Sequence, residues 1–336
     1  MRSPCMRRLG LLLATGLLAA GLGACSSGSA ASTAADSPGS GPELKNITIA
    51  ILPITDAVVV QIAQEEGIFK QEGFDSVKVL DLKTLATSNL QLQSHTADIV
   101  AENYVSMFTQ QAHVPGLNLR IIADMAQSAP NLFDIMVGKG STLTSLSQLK
   151  GKKVGCPALG VSFCQLGLDM LLKPYGLSIS NLTIVPVPFA QGPTALAAHT
   201  VDAVFEAEPF ITIMEGKGAR ILQDLMSGPL AGAPQSCWGV QESFLQKYPK
   251  TVAAFARAMS KADAIADSDP ALVRKDLPKI IPTLSPKLAS VIGLPTWNTT
   301  LSLARMERVA DIMEEFGALP KNFDVKQMYV PPPAGS

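Results

Sequence analysis

The chain lacks the residues and motifs that most reactive chemistry needs. Its three histidines, His95, His113 and His199, lie far apart, and no HExxH or CxxC pair occurs. A zinc site therefore has little support, and no metal is expected. No GxxxxGK[ST] segment is present to cradle a nucleotide phosphate. Aromatic residues make up 5% of the chain and charged residues 16%, with a net charge of -1. Lysine and arginine are spread along the sequence, so no basic stripe points to nucleic acid and no acidic tail to a basic partner. What is present is length and apolarity. With 336 residues, 47% of them hydrophobic, the chain can build two lobes of domain size without covalent staples. The expected partner is a small molecule, the expected state a monomer, and no cofactor is called for.

The N-terminus reads as an export signal over residues 1–24. Arg2, Arg7 and Arg8 form a basic leader, Leu9 to Leu22 is uncharged and apolar, and small residues precede Cys25. The run is shorter than the roughly 20 apolar residues of a spanning helix, is rich in Gly and Ala, and meets polar Ser26, Ser27 and Ser29 at once, which argues for cleavage. The box Leu22-Gly23-Ala24-Cys25 resembles that of bacterial lipoproteins, whose cysteine sulfur carries a diacylglycerol. This implies lipidation of Cys25 and a membrane anchor on the extracytoplasmic face; plain cleavage after Ala24 is the alternative. Ser26 to Gly41 is almost entirely Ser, Ala, Gly, Thr and Pro, so residues 25–44 are expected to act as a flexible tether. With Cys5 in the leader and Cys25 lipidated, Cys156, Cys164 and Cys237 remain, which allows at most one internal bridge. Spacing does not rank the three pairings.

From Ile47 onward strands and helices alternate. Ile47–Leu52, Val77–Leu80, Ala97–Ala101 and Leu119–Ala123 read as strands, with helical periodicity over Asp56–Lys70 and Leu85–Leu92. A second set follows, with strands at Phe133–Val137, Lys153–Cys156, Leu182–Val187 and Asp202–Phe205 and helices at Ser162–Lys173 and Thr194–His199. Pro157 and Gly160 mark a strand-loop-helix junction. Pro249–Ile265 and Leu301–Phe316 are amphipathic helices. Such alternation predicts an α/β fold with largely parallel sheets covered by helices on both faces.

Several blocks carry a family resemblance. Gly67-Ile68-Phe69-Lys70-Gln71-Glu72-Gly73-Phe74 is similar to a GIFKKEGL segment. Ala97-Asp98-Ile99 resembles the end of an L-x-x-G-x-x-D-I-A block, although Ser94-His95-Thr96 replaces its glycine. Leu149 to Gly155 matches DLKGKKVG, and Ala195-Leu196 through Val201-Asp202-Ala203 to Glu208-Pro209-Phe210 resembles A-L-x-x-G-x-V-D-A…W-E-P. Together they resemble the substrate-binding proteins of ABC importers, in the group of alkanesulfonate, taurine, nitrate and thiamine-pyrimidine-precursor binders. The resemblance implies a two-lobed periplasmic binding protein type II fold. Lobe 1 would take residues 45–127 and 235–336 and lobe 2 residues 128–234, with crossovers near Met125–Ala129 and Ala233–Val240. It also implies a permease and its ATPase on separate chains.

Ligands of open α/β sheets lie beyond the carboxyl ends of strands. Four such loops are expected to converge, bringing Thr55 and Asp56, then Glu102, Asn103 and Tyr104, then Gly160 and Ser162, and finally Glu206 and Glu208, with Ser128 in the first crossover. Phe189, Tyr104 and Trp238 are candidates to stack a flat ligand. Asp56, Ser162 and Glu208 have helix capping as an alternative role. The second-lobe loops lack Arg for bidentate pairing with a sulfonate or nitrate, while four carboxylates add acceptors. A neutral or cationic heterocycle or amine is therefore favoured over an anion, with backbone anion binding near Ser162 the alternative. Ala207 replaces the family's Trp. Cys164 and Cys237 form the candidate disulfide across the hinge, with two buried thiols the alternative. A passive receptor is favoured over an enzyme of the eukaryotic pyrimidine-synthase type, and over a lipoprotein serving a sensor.

Overall fold

The computed structural model describes residues 41–84, 87–297 and 300–334. The leader, Cys25 and nearly all of the tether lie outside the described residues. Among the described residues ten strands are found: β1 (Asn46–Ile51), β2 (Ser76–Asp81), β3 (Ile99–Asn103), β4 (Leu119–Gln127), β5 (Phe133–Val137), β6 (Lys153–Cys156), β7 (Thr183–Pro186), β8 (Ala203–Ala207), β9 (Arg220–Asp224) and β10 (Pro234–Gln241). They form two five-stranded mixed sheets, ordered β2-β1-β3-β10-β4 and β7-β6-β8-β5-β9. In the first, β1 runs parallel to β2 and β3, and β10 is antiparallel to β3 and β4. In the second, β6 runs parallel to β7 and β8, while β5 is antiparallel to β8 and β9.

The central strands β3, β5 and β8 are buried at every residue, as apolar strands covered on both faces should be. Helices supply the cover. Pro249–Ser268 lays Val252, Phe255, Met259 and Ala262 on the first sheet, where Phe255 meets Trp238 edge-on with ring centroids 5.0 Å apart. The expected single helix over Asp56–Lys70 is instead two, Val58–Glu65 and Ile68–Gln71, because Gly67 adopts φ 65° between them. That left-handed turn suits a residue without Cβ. No helix among the described residues is long and apolar enough to cross a membrane.

Three expectations need correction. The return crossover at Ala233–Val240 is mostly strand β10, so the chain passes back to the first sheet between Asp224 and Pro234. Glu102 and Glu206 do not follow their strands but belong to them. The disulfide joins Cys156 to Cys164, with Cα atoms 5.9 Å apart, and Cys237 is a buried free thiol. Cys164 leans back toward the end of β6 on its own helix, Phe163–Leu172, whereas Cys237 is held within the other sheet. The bridge closes the loop Pro157–Ser162, and its removal should cost on the order of 2 kcal/mol. Non-reducing peptide mapping is expected to find Cys156 linked to Cys164 and Cys237 alkylated only after denaturation; a Cys237 crosslink would contradict the fold.

Candidate functional site

The carboxyl ends of the parallel strands and the amino ends of the antiparallel ones meet between the two sheets. Leu52 after β1, Asn103 at the end of β3 and Gln235 at the start of β10 line one wall of a cleft of about 200 Å³. The facing wall is aromatic. Phe133 starts β5, Phe205 lies in β8, Phe163 opens the helix after the disulfide loop and Phe189 follows β7. Phe133 and Phe205 stack at 6.1 Å, Phe163 meets Phe133 edge-on at 5.3 Å, and Phe189 lies 5.7 Å from Phe205. All four are buried, a connected surface suited to a flat apolar ring. The lip is the loop Pro157–Ser162, with Leu159 60% exposed at its tip.

The first-sheet wall is polar and mostly neutral. Asn103 caps the helix Tyr104–His113, its Oδ1 accepting from the Ser106 N–H, and Ser106, Thr109 and Gln110 of that helix face the cleft. Among the described residues Lys83 is the only cationic side chain lining the cleft, and no arginine does so. Ser162 caps its helix through a bond from the Gln165 N–H and also faces the cleft.

Behind this wall a side cavity of about 20 Å³ opens between Asp56, Glu102, Gln235 and Ser236. Glu102 accepts from the Ser88 hydroxyl at 2.5 Å, from the Gln110 amide at 3.3 Å and from the backbone and side chain of Asn103. Burial nevertheless wins over these donors and pushes its pKa up to about 7. Asp56 caps no helix; it accepts from the Ser236 hydroxyl at 2.9 Å, and burial raises it to about 6.

Other expected residues turn elsewhere. Tyr104 donates its hydroxyl to Asp124 at 2.6 Å inside the core, and Trp238 is fully buried against Phe255. Neither lines the cleft, so neither is placed to stack a ligand. Ser128 donates to the Ala233 carbonyl, tying the two chain passages together. Gly160 makes the lip's turn at φ 82° without itself lining the cleft. Thr55 is buried, and its N–H donates to the Glu208 carbonyl at 3.4 Å. Glu206 faces away from Phe205, toward Gly192, where a Cβ would come within 1.5 Å of its carboxylate. It stands opposite Asp134 across β8 and β5, and neither carboxylate has a hydrogen-bond partner among the described residues. Burial pushes both upward, Asp134 to about 8 with help from Asp224 and Glu208.

Glu208 spans the sheets. Its carboxylate accepts from the Thr212 hydroxyl at 2.7 Å and N–H at 3.1 Å, and from the Gly293 N–H at 3.3 Å. Gly293 belongs to a segment that Thr296 pins to β4, and Thr55 adds the bond to the Glu208 carbonyl. Glu208 is thus a latch between the sheets and lines neither cavity. Among the cleft residues that sequence reasoning missed are Phe133, Phe163, Phe205 and Gln235. Their only signal was position at the cleft end of a strand or helix, which needs the sheet order to be read.

Two five-stranded mixed sheets with a cleft at their strand ends are the type II fold of the two-lobed periplasmic binding proteins. The chain belongs to the NMT1/THI5-like family, whose model matches residues 55–272. It is 29% identical over 152 residues to a putative thiamine biosynthesis protein of Haemophilus influenzae, a match spanning 45% of this chain and about half, 46%, of that one. It is 22% identical over 343 residues to a riboflavin-binding protein of Chloroflexus aurantiacus, covering 96% and 95% of the two chains. Among solved structures, the alkanesulfonate-binding protein of Xanthomonas axonopodis pv. citri bound to MOPS superposes with a TM-score of 0.71 at 19% identity, over 85% of this chain and 98% of that one.

Two predictions arise from the carboxylates. A carboxyl group whose folded pKa lies above its unfolded value binds more protons when folded, so its stabilising effect is present at low pH and lost as pH rises. For Glu102, from 4.5 to about 7, the loss between those limits is on the order of 3 kcal/mol. Thermal melts of the ligand-free protein should fall from pH 5 to pH 8, and Glu102→Gln should flatten that slope; a slope unchanged by the substitution would count against burial as its cause. Glu208→Ala leaves the Gly293 N–H without its acceptor, costs about 1–3 kcal/mol and should enlarge the radius of gyration in small-angle scattering. An identical scattering profile would rule out the latch.

Proposed function

We propose that the protein captures a flat, neutral or cationic aromatic heterocycle and delivers it to an ABC permease whose ATPase is a separate chain. The observation that carries this is the cleft's asymmetry. Four phenylalanines form one wall, amides and hydroxyls form the other, and two buried carboxylates lie behind it, with a single lysine and no arginine in the lining among the described residues. A sulfonate or nitrate needs fixed cationic donors in a fork, and this lining offers one flexible ammonium at the rim. Heterocycle binding also agrees with the riboflavin and thiamine names of two relatives.

Capture works by population shift. Contacts from both walls are complete only when the lobes close on the ligand, the lobes being residues 45–127 with 235–336 and residues 128–234. Cys25 carries the lipid, and the tether behind it holds the receptor near the permease. Thr109 Oγ1 and Gln235 Oε1, both in the cleft lining, have no hydrogen-bond partner among the described residues, so ligand polar groups have positions to satisfy. The other reading is an anion held by Lys83 and the N-terminus of the helix Phe163–Leu172, as the likeness to a sulfonate binder would suggest. Calorimetry with riboflavin, thiamine, aminopyrimidines, taurine, MOPS and nitrate decides between them. Saturable binding is expected for at least one heterocycle and for none of the three anions; tight binding of an anion alone would overturn the proposal.

A further inference from the structure

We infer that the side cavity between Asp56, Glu102 and Gln235 is a subsite for one amino group of the ligand, and that Gln235 is a specificity-determining residue. The inference rests on the cleft being the ligand site. Size comes first. The cavity holds about 20 Å³, against roughly 10–15 Å³ for one water-sized group, so it admits a single heavy atom with its hydrogens and excludes a carboxylate, sulfonate or phosphate. It joins the main cleft, since Leu52, Ile54, Asn103 and Gln235 line both. A ring lying on the phenylalanine wall can therefore place one substituent inside it.

The chemistry of the walls selects that substituent. Asp56 and Glu102 are acceptors when ionised. Gln235, 5% exposed, presents a buried Oε1 with no hydrogen-bond partner among the described residues. Leaving such an atom unpaired costs about 1–3 kcal/mol, and a ligand N–H removes that cost. Glu102 already receives four hydrogen bonds from Ser88, Asn103 and Gln110, so its part is chiefly its charge. Asp56 receives one side-chain bond, from Ser236, and keeps acceptor capacity. Three acceptors around one small space call for a group that only donates. A protonated amine or amidine does so, as does an amino group whose lone pair is delocalised into a ring, whereas a hydroxyl brings two lone pairs of its own toward the carboxylates.

The backbone is shaped for this arrangement. Strand side chains normally alternate between faces, yet Gln235 and Ser236 are adjacent in sequence and both line the cavity. The register of β10 on β4 shifts between Pro234 and Ser236 and again between Ser236 and Cys237. Such a bulge re-aims a side chain at the rim of a sheet, and here it brings a second polar residue into the subsite. Asp56 arrives from the turn after β1 and Glu102 from the end of β3, so three separate strand ends supply the three acceptors.

Benzylamine and benzyl alcohol test this, because they share ring and reach and differ only in the terminal group. Dissociation constants come from NMR shift titration of the full-length protein at pH 7.5, with toluene as the ring-only reference. Benzylamine is expected to bind the wild type at least about tenfold more tightly than benzyl alcohol. Asp56→Asn and Gln235→Leu should each cut that ratio severalfold, with the dispersed amide spectrum of each variant showing that the protein remains folded. Equal affinity for the two compounds in the wild type would overturn the subsite while the cleft reading stands. Failure of all three probes to bind would overturn the aromatic-cleft reading and the subsite with it.

Discussion

The antiparallel insertion of Pro234–Gln241 between β3 and β4 is the interaction on which the rest of this structure depends. Without it the first sheet would split between β3 and β4, since neither pairs with the other. The same strand carries Gln235 and Ser236 into the side cavity, buries the Cys237 thiol and drives Trp238 into the core beneath Phe255. Its start is also where the chain returns from the second sheet, so Ser128 and Ala233, hydrogen-bonded to each other, mark a place where two passages run side by side. One strand thus closes a sheet, receives the chain from the other sheet and furnishes part of the side cavity's polar lining.

Electrostatics separates the cleft from the rest of the molecule. Asp56 and Glu102 are buried next to the cleft, with donors from Ser236, Ser88, Gln110 and Asn103 that keep their ionised forms accessible. Asp134 and Glu206 are buried in the second sheet with no such donors, and burial holds them protonated further up the pH scale. For Asp134 the nearby charges of Asp224, Glu208 and Glu215 add to the same effect. The two pairs look alike in sequence, each an acid in or beside an apolar strand. Their surroundings leave one pair supplied with hydrogen-bond donors beside the cleft and the other buried without donors among the described residues, with both of its pKa values raised. On the far side of that second sheet, Phe133 and Phe205 face the cleft.

Much of the fold was legible because its signals are local. β5 and β6 have the bounds that the sequence pattern predicts, and the helix from Phe163 starts at Ser162, whose side chain satisfies a backbone N–H three residues on. β9 and β10 were not legible. Arg220–Asp224 is a half-buried edge strand with charges at both ends, and Pro234–Gln241 contains Pro, Gly, Gln and Ser, residues that weaken any strand pattern. The aromatic wall was missed for a related reason. Phe133, Phe163 and Phe205 sit within ordinary apolar runs, and only the sheet order turns them toward one another.

The sequence by itself determined the alternation of strand and helix, the strand-loop-helix junction around Pro157 and Ser162, and the family to which the chain belongs. These follow from periodicity, capping and short motifs, each encoded within a few residues. Tertiary structure alone decided that Cys164 pairs with Cys156 rather than Cys237, that Glu206 turns from the cleft, that Glu208 latches the sheets and that Gln235 enters the site. Each of these depends on which face of a strand a residue occupies and on where distant segments return. Strand register and the point of return are settled by packing between elements far apart in the chain, so no local pattern carries them.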